Sequence, residues 1–122
     1  MARVLIVDDD PDIAGMLSRL LAAWGHRAQA CLCGPAALAA ASAFGPQVAL
    51  VDLGMPGLGG AAVARLLRAG LGLRPWLVAV TGLAPDEIPP ADAASFDLVL
   101  HKPVVPAQLR ELLGRLGAAD PP

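Results

Sequence analysis

The feature that most constrains the fold of this chain is a short apolar run, residues 48–51, that ends in a single acid, Asp52. Pro46 precedes the run and Gly54 follows it closely. An apolar run between such breakers is typical of a strand buried on both faces, as in a parallel sheet. Open parallel sheets bind ligands at the carboxyl ends of their strands. Asp52 is therefore either a functional acid at that edge or a turn cap, the common role of aspartate after a strand.

Polar groups also end three other apolar runs. They are Asp8, Asp9 and Asp10 after residues 4–7, Thr81 after residues 77–80, and His101 and Lys102 after residues 98–100. Lys102 is the single lysine among nine lysine and arginine residues, so its place at a strand end is hard to attribute to solubility. A weaker run, residues 27–31, contains arginine and glutamine and is expected nearer the edge of the sheet.

The segments between these runs carry helical patterns. Asp10 and Pro11 suit the start of a first helix, with the carboxylate as N-cap, and Gly25 suits its end. Its apolar stripe is predicted to contain Ile13, Met16, Leu17, Leu20, Leu21 and Trp24. An alanine-rich second helix is predicted from Gly34 to about Ser42.

A third helix is predicted over residues 61–69 and a last helix from Pro106. The expected buried positions are Val63, Leu66 and Leu67 in the third helix and Leu109, Leu112, Leu113 and Leu116 in the last. Arg65 and Arg68 are expected on the solvated face of the third helix. The fourth helix is predicted to be short and to begin near Pro90, because an interior proline costs a helix about 3 kcal/mol.

The alternation of strands and helices predicts an α/β fold. Such chains form right-handed crossovers and a parallel sheet that is covered on both faces. The chain has 122 residues, of which 56% are hydrophobic, and this is enough for one packed core. A single domain is expected over residues 1–122, with its core at residues 2–117 and a tail at residues 118–122.

Charge and composition argue against several classes of function. The net charge of −2 and the lack of a basic run disfavour a nucleic-acid-binding surface. No segment approaches the roughly 20 apolar residues of a membrane helix, and the N-terminus turns acidic too early for a signal peptide. A cytoplasmic protein is therefore expected. Cys31 and Cys33 are too close on one strand for a disulfide, and with His26 they make too few ligands for structural zinc.

The acids predict a metal site if the first and third strands are neighbours in the sheet. Converging carboxylates repel one another, so they must bind protons or a cation. Oxygen ligands without histidine or thiolate favour Mg²⁺, or Mn²⁺. Asp9, Asp52 and the carbonyl of Gly54 are the predicted direct ligands, and Asp8 is predicted to act through water.

The same residues predict phosphoryl transfer. Asp52 can attack phosphorus as a carboxylate nucleophile and form an acyl phosphate. Catalysis of this transfer depends on alignment and charge neutralisation, which the cation and the ammonium of Lys102 would provide. The Thr81 hydroxyl can donate to a phosphoryl oxygen once that group is present.

Four motifs, V-L-I-V-D-D-D, V-D-L-G-M-P-G, A-V-T-G and H-K-P, together resemble the receiver domain of two-component response regulators, from residue 2 to about residue 117. The resemblance implies a doubly wound, flavodoxin-like sheet of five parallel strands in the order 2-1-3-4-5, as in chemotaxis receivers. The implied roles are phosphoacceptor for Asp52, acidic pair for Asp8 and Asp9, switch hydroxyl for Thr81 and phosphoryl contact for Lys102. The resemblance also implies a cis bond between Lys102 and Pro103.

The resemblance further implies a partner. In a receiver the phosphoryl group comes from a phosphohistidine on a histidine kinase or a histidine phosphotransfer protein. Such a domain is not an enzyme for other substrates, because it catalyses only its own phosphorylation and slow dephosphorylation. Covalent neighbour domains and a weak homodimer are left open. A flavin-binding domain of similar topology is disfavoured because the first strand leads into acids rather than a glycine- and hydroxyl-rich phosphate cradle.

Three features depart from the receiver pattern. Val99 lies where relatives usually carry Tyr, Phe or His, three residues before the lysine, and Gly59 lies where they often carry aspartate. Pro89 and Pro90 shorten the fourth helix, which in relatives belongs to the surface that contacts partners. The chemistry is therefore expected to be intact and the readout altered. The alternative hypothesis is a receiver-shaped adaptor, a protein-interaction module that binds its partner whether or not it is phosphorylated.

Overall fold

The structure is a computed structural model that describes residues 1–70 and 74–117. In these ranges strands alternate with helices along the chain. The strands are β1 (Arg3–Val7), β2 (Arg27–Cys31), β3 (Val48–Asp52), β4 (Trp76–Thr81) and β5 (Leu98–His101). The helices are α1 (Pro11–Ala23), α2 (Gly34–Phe44), α3 (Gly60–Gly70), α4 (Pro90–Ala93) and α5 (Pro106–Gly117). The predicted tail at residues 118–122 lies outside the described residues.

The strands pair in parallel in one sheet of order β2-β1-β3-β4-β5. This confirms the predicted fold class and the strand order that the resemblance implied. Because Val7 of β1 pairs with Val51 of β3, the residues that follow them, Asp8 and Asp52, reach the same edge of the sheet. β2 is an edge strand, and most of its side chains are exposed or half-buried, as its polar residues predicted.

Apolar side chains fill both faces of the sheet. The core on the face covered by α1 and α5 includes Ile6, Leu17, Leu21, Leu50 and Leu109. The core on the face covered by α2 and α3 includes Leu5, Ala37, Val51, Val63 and Leu67. Burial of one such aliphatic side chain contributes about 1.5–3 kcal/mol. This double layer therefore stabilises β3, the strand that carries Asp52 and is buried at every position.

Local signals explain where α1 begins and ends. The Asp10 carboxylate accepts hydrogen bonds from the backbone N–H groups of Asp12 at 2.9 Å and Ile13 at 3.4 Å. Pro11 occupies the first helical position, where its missing N–H has no cost. Past the helix, Gly25 adopts a φ of 86°, a left-handed conformation that favours glycine. Asp10 therefore has the structural role that its position predicted.

Two predicted core positions are wrong. Leu66 of α3 is 47% exposed, and Met16 of α1 is 37% exposed. Successive residues of a helix are rotated by about 100°, so Leu66 points well away from its neighbour Leu67, which faces the sheet. Met16 is turned away from Leu17 for the same reason. The apolar stripes are thus narrower than the sequence pattern indicated.

Helix lengths follow the glycine and proline positions. α2 continues to Phe44, slightly past its predicted end near Ser42, and stops at Gly45, whose φ is 63°. α4 begins at Pro90, as predicted, and spans only 4 residues. A short 3-10 turn, Pro85–Glu87, precedes it. Among the described helices, none is long and apolar enough to cross a membrane.

The arginines of α3 join this helix to the connection between α4 and β5. Arg68 Nη2 lies 2.8 Å from Asp97 Oδ2, and Arg65 donates from Nη1 to Ser95 Oγ at 3.1 Å. Asp97 Oδ2 also accepts from the backbone N–H of Leu77 at 2.8 Å. Arg65 is exposed, as predicted, whereas Arg68 is only partly exposed because its guanidinium is paired with Asp97.

Candidate functional site

Three carboxylates meet at the carboxyl edge of β1 and β3. Asp8 and Asp9 follow β1, and Asp52 ends β3. One carboxylate oxygen from each residue lies within 4.8 Å of the other two. Asp8 and Asp52 are buried, with exposed fractions of 2% and 7%, whereas Asp9 is exposed. The parallel register therefore gathers acids from distant parts of the chain.

Asp8 is held in place through both of its oxygens. Its Oδ1 accepts from the backbone N–H of Asp10 at 2.9 Å. Its Oδ2 lies 3.2 Å from Lys102 Nζ. Both oxygens of Asp8 therefore have a protein partner. The predicted contact of Asp8 with a metal through water stays a prediction.

Lys102 brings a positive charge to the acids from the end of β5. Its Nζ lies 3.5 Å from Asp52 Oδ2, and its backbone N–H donates to the Thr81 carbonyl at 2.8 Å. Burial alone would lower the pKa of Lys102, but the negative charges of Asp52 and Asp8 outweigh burial and raise it. The side chain therefore stays an ammonium. The bond from Lys102 to Pro103 is cis, as the resemblance implied.

Asp52 presents its two oxygens to different partners. Oδ1 accepts from the backbone N–H of Gly54 at 2.9 Å, and Oδ2 faces Lys102. The pKa of Asp52 is raised above its ordinary value, first by burial, and the charge of Asp8 adds to this. The Gly54 N–H and the Lys102 ammonium offset part of the rise in pKa. A buried carboxylate perturbed in this way is typical of a functional site.

Thr81 lies near Asp52 at the end of β4. It is 4% exposed and follows Val80, the register partner of Asp52. Its Oγ1 accepts from the backbone N–H of Leu83 at 3.1 Å. A cavity of about 480 Å³ is lined by residues that include both Asp52 and Thr81. The carboxylate and the hydroxyl therefore border the same open space.

The donor set of the acidic cluster suits a hard divalent cation. Mg²⁺ prefers oxygen ligands and keeps several of its waters. The carboxylates of Asp9 and Asp52 would hold such an ion, with the exposed Asp9 on the solvent side and the buried Asp8 beside them. The role of the Gly54 carbonyl as a third ligand stays a prediction.

Comparison with known proteins connects this geometry to a family. The family model of the response regulator receiver domain matches residues 4–114. The chain belongs to the response regulator receiver domain family. The matched range contains Asp8, Asp9, Asp52, Thr81 and Lys102. The resemblance seen in the sequence motifs is thereby confirmed.

Relatives match this receiver over nearly its whole length. It is 34% identical over 116 residues to the DNA-binding response regulator MtrA of Mycolicibacterium smegmatis, and the match covers 95% of this chain and 49% of that protein. A CheY-like receiver domain from Methylobacillus flagellatus has a TM-score of 0.87 at 30% identity, covering 95% of this chain and 98% of that one. The chemotaxis protein CheY4 of Vibrio cholerae has a TM-score of 0.85 at 27% identity, with coverages of 95% and 98%. The chain spans about half the length of the curated relatives it matches.

Gly60 is a residue of this receiver's site that sequence patterns did not single out. A Cβ built on Gly60 would overlap the Asp52 carbonyl oxygen and lie 2.9 Å from the Asp52 carbonyl carbon. α3 therefore begins directly against the backbone of Asp52, an approach that only glycine permits. The signal in the sequence was the pair of glycines at 59 and 60, which predicted no more than the approach to a helix.

Proposed function

We propose that this receiver accepts a phosphoryl group on Asp52 from the phosphohistidine of a histidine kinase or a histidine phosphotransfer protein, with Mg²⁺ or Mn²⁺ bound. The observation that carries the proposal is the position of the buried Asp52 carboxylate, 3.5 Å from the Lys102 ammonium and clustered with Asp8 and Asp9. Phosphoryl transfer is catalysed mainly by alignment and charge neutralisation. These side chains supply both.

The proposed step follows from the charges at the site. A carboxylate oxygen of Asp52 forms a bond to phosphorus while the P–N bond of the donor breaks, and the electron pair stays on the imidazole nitrogen, which takes up a proton. A divalent cation held by Asp9 and Asp52 would neutralise charge on the phosphoryl oxygens. Lys102 supplies a fixed positive charge beside the same carboxylate. Thr81 borders the cavity into which the phosphoryl group would extend.

The receiver is proposed to act on itself rather than on other substrates. Its own catalysis is limited to acceptance of the phosphoryl group and slow hydrolysis of the acyl phosphate by water. Gly54 leaves the flank of the acceptor open, since a Cβ there would lie 3.6 Å from Asp52 Oδ1, in ordinary contact. A longer side chain at this position would shield the acyl phosphate from water.

The proposal also concerns the partner and the location of the domain. The net charge of −2 favours a protein rather than a nucleic acid as the direct partner of this domain. The presence of covalent neighbour domains stays open. A cytoplasmic location is proposed with the kinase partner, and a weak receiver homodimer stays open.

Mass spectrometry of the intact protein tests the proposal. Acetyl phosphate with Mg²⁺ should add one phosphoryl group, and removal of the cation by a chelator should prevent the addition. Asp52→Asn should abolish the label, whereas Asp86→Asn, which changes an exposed acid on the 3-10 turn, should label like wild type. Undiminished labelling of Asp52→Asn would refute the assignment of the acceptor.

A phosphorylation-independent adaptor is the second candidate function. It is favoured by the missing aromatic ring at Val99 and by the 4-residue α4. Beryllofluoride, a stable mimic of the phosphoryl group, distinguishes the two. If beryllofluoride does not change the affinity for the partner, the adaptor function is supported. If it changes the affinity, a receiver that signals through phosphorylation is supported.

A further inference from the structure

The backbone N–H and C=O groups of Leu83, in the loop that follows β4, each contact a side chain. Its N–H donates to Thr81 Oγ1 at 3.1 Å. Its carbonyl oxygen lies 3.1 Å from His101 Nδ1. His101 is the register partner of Thr81 in the neighbouring strand β5. One loop residue therefore connects the hydroxyl beside the acceptor to an exposed imidazole at the end of the sheet.

The Nδ1 atoms of the two histidines have opposite roles in hydrogen bonding. A carbonyl oxygen can only accept a hydrogen bond, so Nδ1 of His101 donates to Leu83 and is protonated. Nδ1 of His26 instead accepts from the backbone N–H of Ala2 at 3.0 Å and is unprotonated. His26 directly precedes β2, so it lies at the amino ends of the strands, whereas the acids lie at the carboxyl ends. It is therefore an internal reference for any change at His101.

We propose that His101 is a positioning residue that holds the Leu83 loop, and through it the Thr81 hydroxyl, in the resting conformation of the receiver. The proposal rests on the proposed phosphoryl-accepting function of Asp52. When the Thr81 hydroxyl turns toward a phosphoryl oxygen, the N–H of Leu83 loses its acceptor. The loop then shifts, and the bond from His101 to Leu83 is released.

The position of His101 suits this role because of the alternation of side chains along β5. Residues two apart on a strand lie on the same face, so His101 occupies the face of Val99, one step nearer the carboxyl edge. Val99 pairs with Ala79 and has no polar group with which to contact the loop. The imidazole of His101 therefore provides a polar link that the strand otherwise lacks at this face.

The coupling must be reciprocal. If the bond between His101 and Leu83 stabilises the resting loop, then its loss must favour the state that binds a phosphoryl group by the same factor. One net hydrogen bond corresponds to a change of about threefold to tenfold in an equilibrium constant. His101→Val should therefore bind beryllofluoride with Mg²⁺ about threefold to tenfold more tightly than wild type.

A conservative variant separates the hydrogen bond from packing. In His101→Asn the side-chain amide can replace Nδ1 as the donor to Leu83. Its affinity for beryllofluoride should stay within about twofold of wild type. Equal effects of the valine and asparagine variants would overturn the proposal, as would an unchanged or weaker affinity in His101→Val.

The imidazole ¹⁵N spectrum of the wild-type protein is the second measurement. It is recorded at one alkaline pH with and without beryllofluoride. Addition of beryllofluoride should change the Nδ1 signal of His101 and leave that of His26 unchanged. A His101 signal that does not change overturns the proposal even if His101→Val fails to fold.

The two proposals fail in different ways. If wild type neither binds beryllofluoride nor labels with acetyl phosphate, the phosphoryl-accepting function is wrong, and the role of His101 is overturned with it. If wild type binds and labels while His101→Val and the imidazole signals show no effect, only the role of His101 is overturned.

Discussion

Lys102 Nζ lies 3.5 Å from Asp52 Oδ2, although Asp52 ends β3, Lys102 follows β5, and β4 lies between these two strands. The lysine side chain thus reaches across the end of β4 and places a positive charge beside the Asp52 carboxylate. The same ammonium lies 3.2 Å from Asp8 Oδ2. One cation therefore offsets the repulsion between two buried acids.

Replacement of Lys102 tests this charge directly. In Lys102→Met the rate of labelling by acetyl phosphate should fall by about 10²-fold, because loss of one preorganised charge-stabilising group costs on this order. The initial rate, followed by intact mass, is the measurement. Arg115→Met, which removes an exposed cation from α5, is the control and should label at the wild-type rate. An unchanged rate in Lys102→Met would contradict the proposed charge neutralisation.

The titration of Asp52 should depend on Asp8 and on metal. Because its pKa is raised above 3.8, Asp52 should lose its charge at a higher pH than an ordinary aspartate. Asp8→Asn should lower the midpoint, since the charge of Asp8 contributes to the rise. Saturating Mg²⁺ should also lower the midpoint, because a cation competes with the proton. The carboxyl ¹³C shift of Asp52 reports both effects, and a midpoint that neither change moves contradicts the cluster.

Gly60 should not tolerate a side chain. Gly60→Ala places a methyl group on the Asp52 carbonyl and should destabilise the fold by about 1–3 kcal/mol, as overpacking does. It should also slow labelling of Asp52, since the strand end must shift. Gly59→Ala is a matched control, because its Cβ would meet no atom within 4 Å, and its effect should stay within about 0.5 kcal/mol. Urea denaturation gives the free energy of unfolding of both variants. Equal values for Gly60→Ala and Gly59→Ala would contradict the prediction.

Asp97 should stabilise the connection between α4 and β5. Asp97→Ala removes the acceptor of both Arg68 and the Leu77 N–H. The expected loss is about 1–3 kcal/mol, chiefly because a part-buried N–H is left without a partner. Thermal unfolding measures this loss, and Asp86→Ala, on the exposed 3-10 turn, serves as the comparison. Similar stabilities of the two variants would contradict the bracing role of Asp97.

His26 should make the stability of the fold depend on pH. Burial lowers its pKa from 6.5, and the N-terminal ammonium and Arg110 lower it further. The folded state then binds fewer protons than the unfolded state, so stability falls as the pH drops below 6.5 and levels off below the folded pKa. His26→Asn should remove this contribution to the pH dependence of stability. The difference in unfolding free energy between wild type and His26→Asn should therefore change across this pH range, and a constant difference would contradict the shift.

The sequence by itself determined the features that depend on neighbouring residues. Apolar runs between prolines and glycines located the strands, and Asp10 with Pro11 located the start of α1. Pro90 set the start of the shortened α4. These features follow from the conformational limits of each residue type and its near neighbours, which are present before the chain folds. The motifs around Asp52 and Lys102 also sufficed to recognise the receiver family.

Only the tertiary structure decided which distant groups touch. The exposure of Leu66 depends on the rotation of α3 about its own axis against the sheet. A periodic sequence pattern does not define this rotation accurately enough. The need for glycine at 60 depends on how closely that helix approaches Asp52. The contact between His101 and Leu83 depends on the register of β4 and β5. These three features depend on packing between segments that are far apart in the chain. The contacts that define them form only when the sheet has formed.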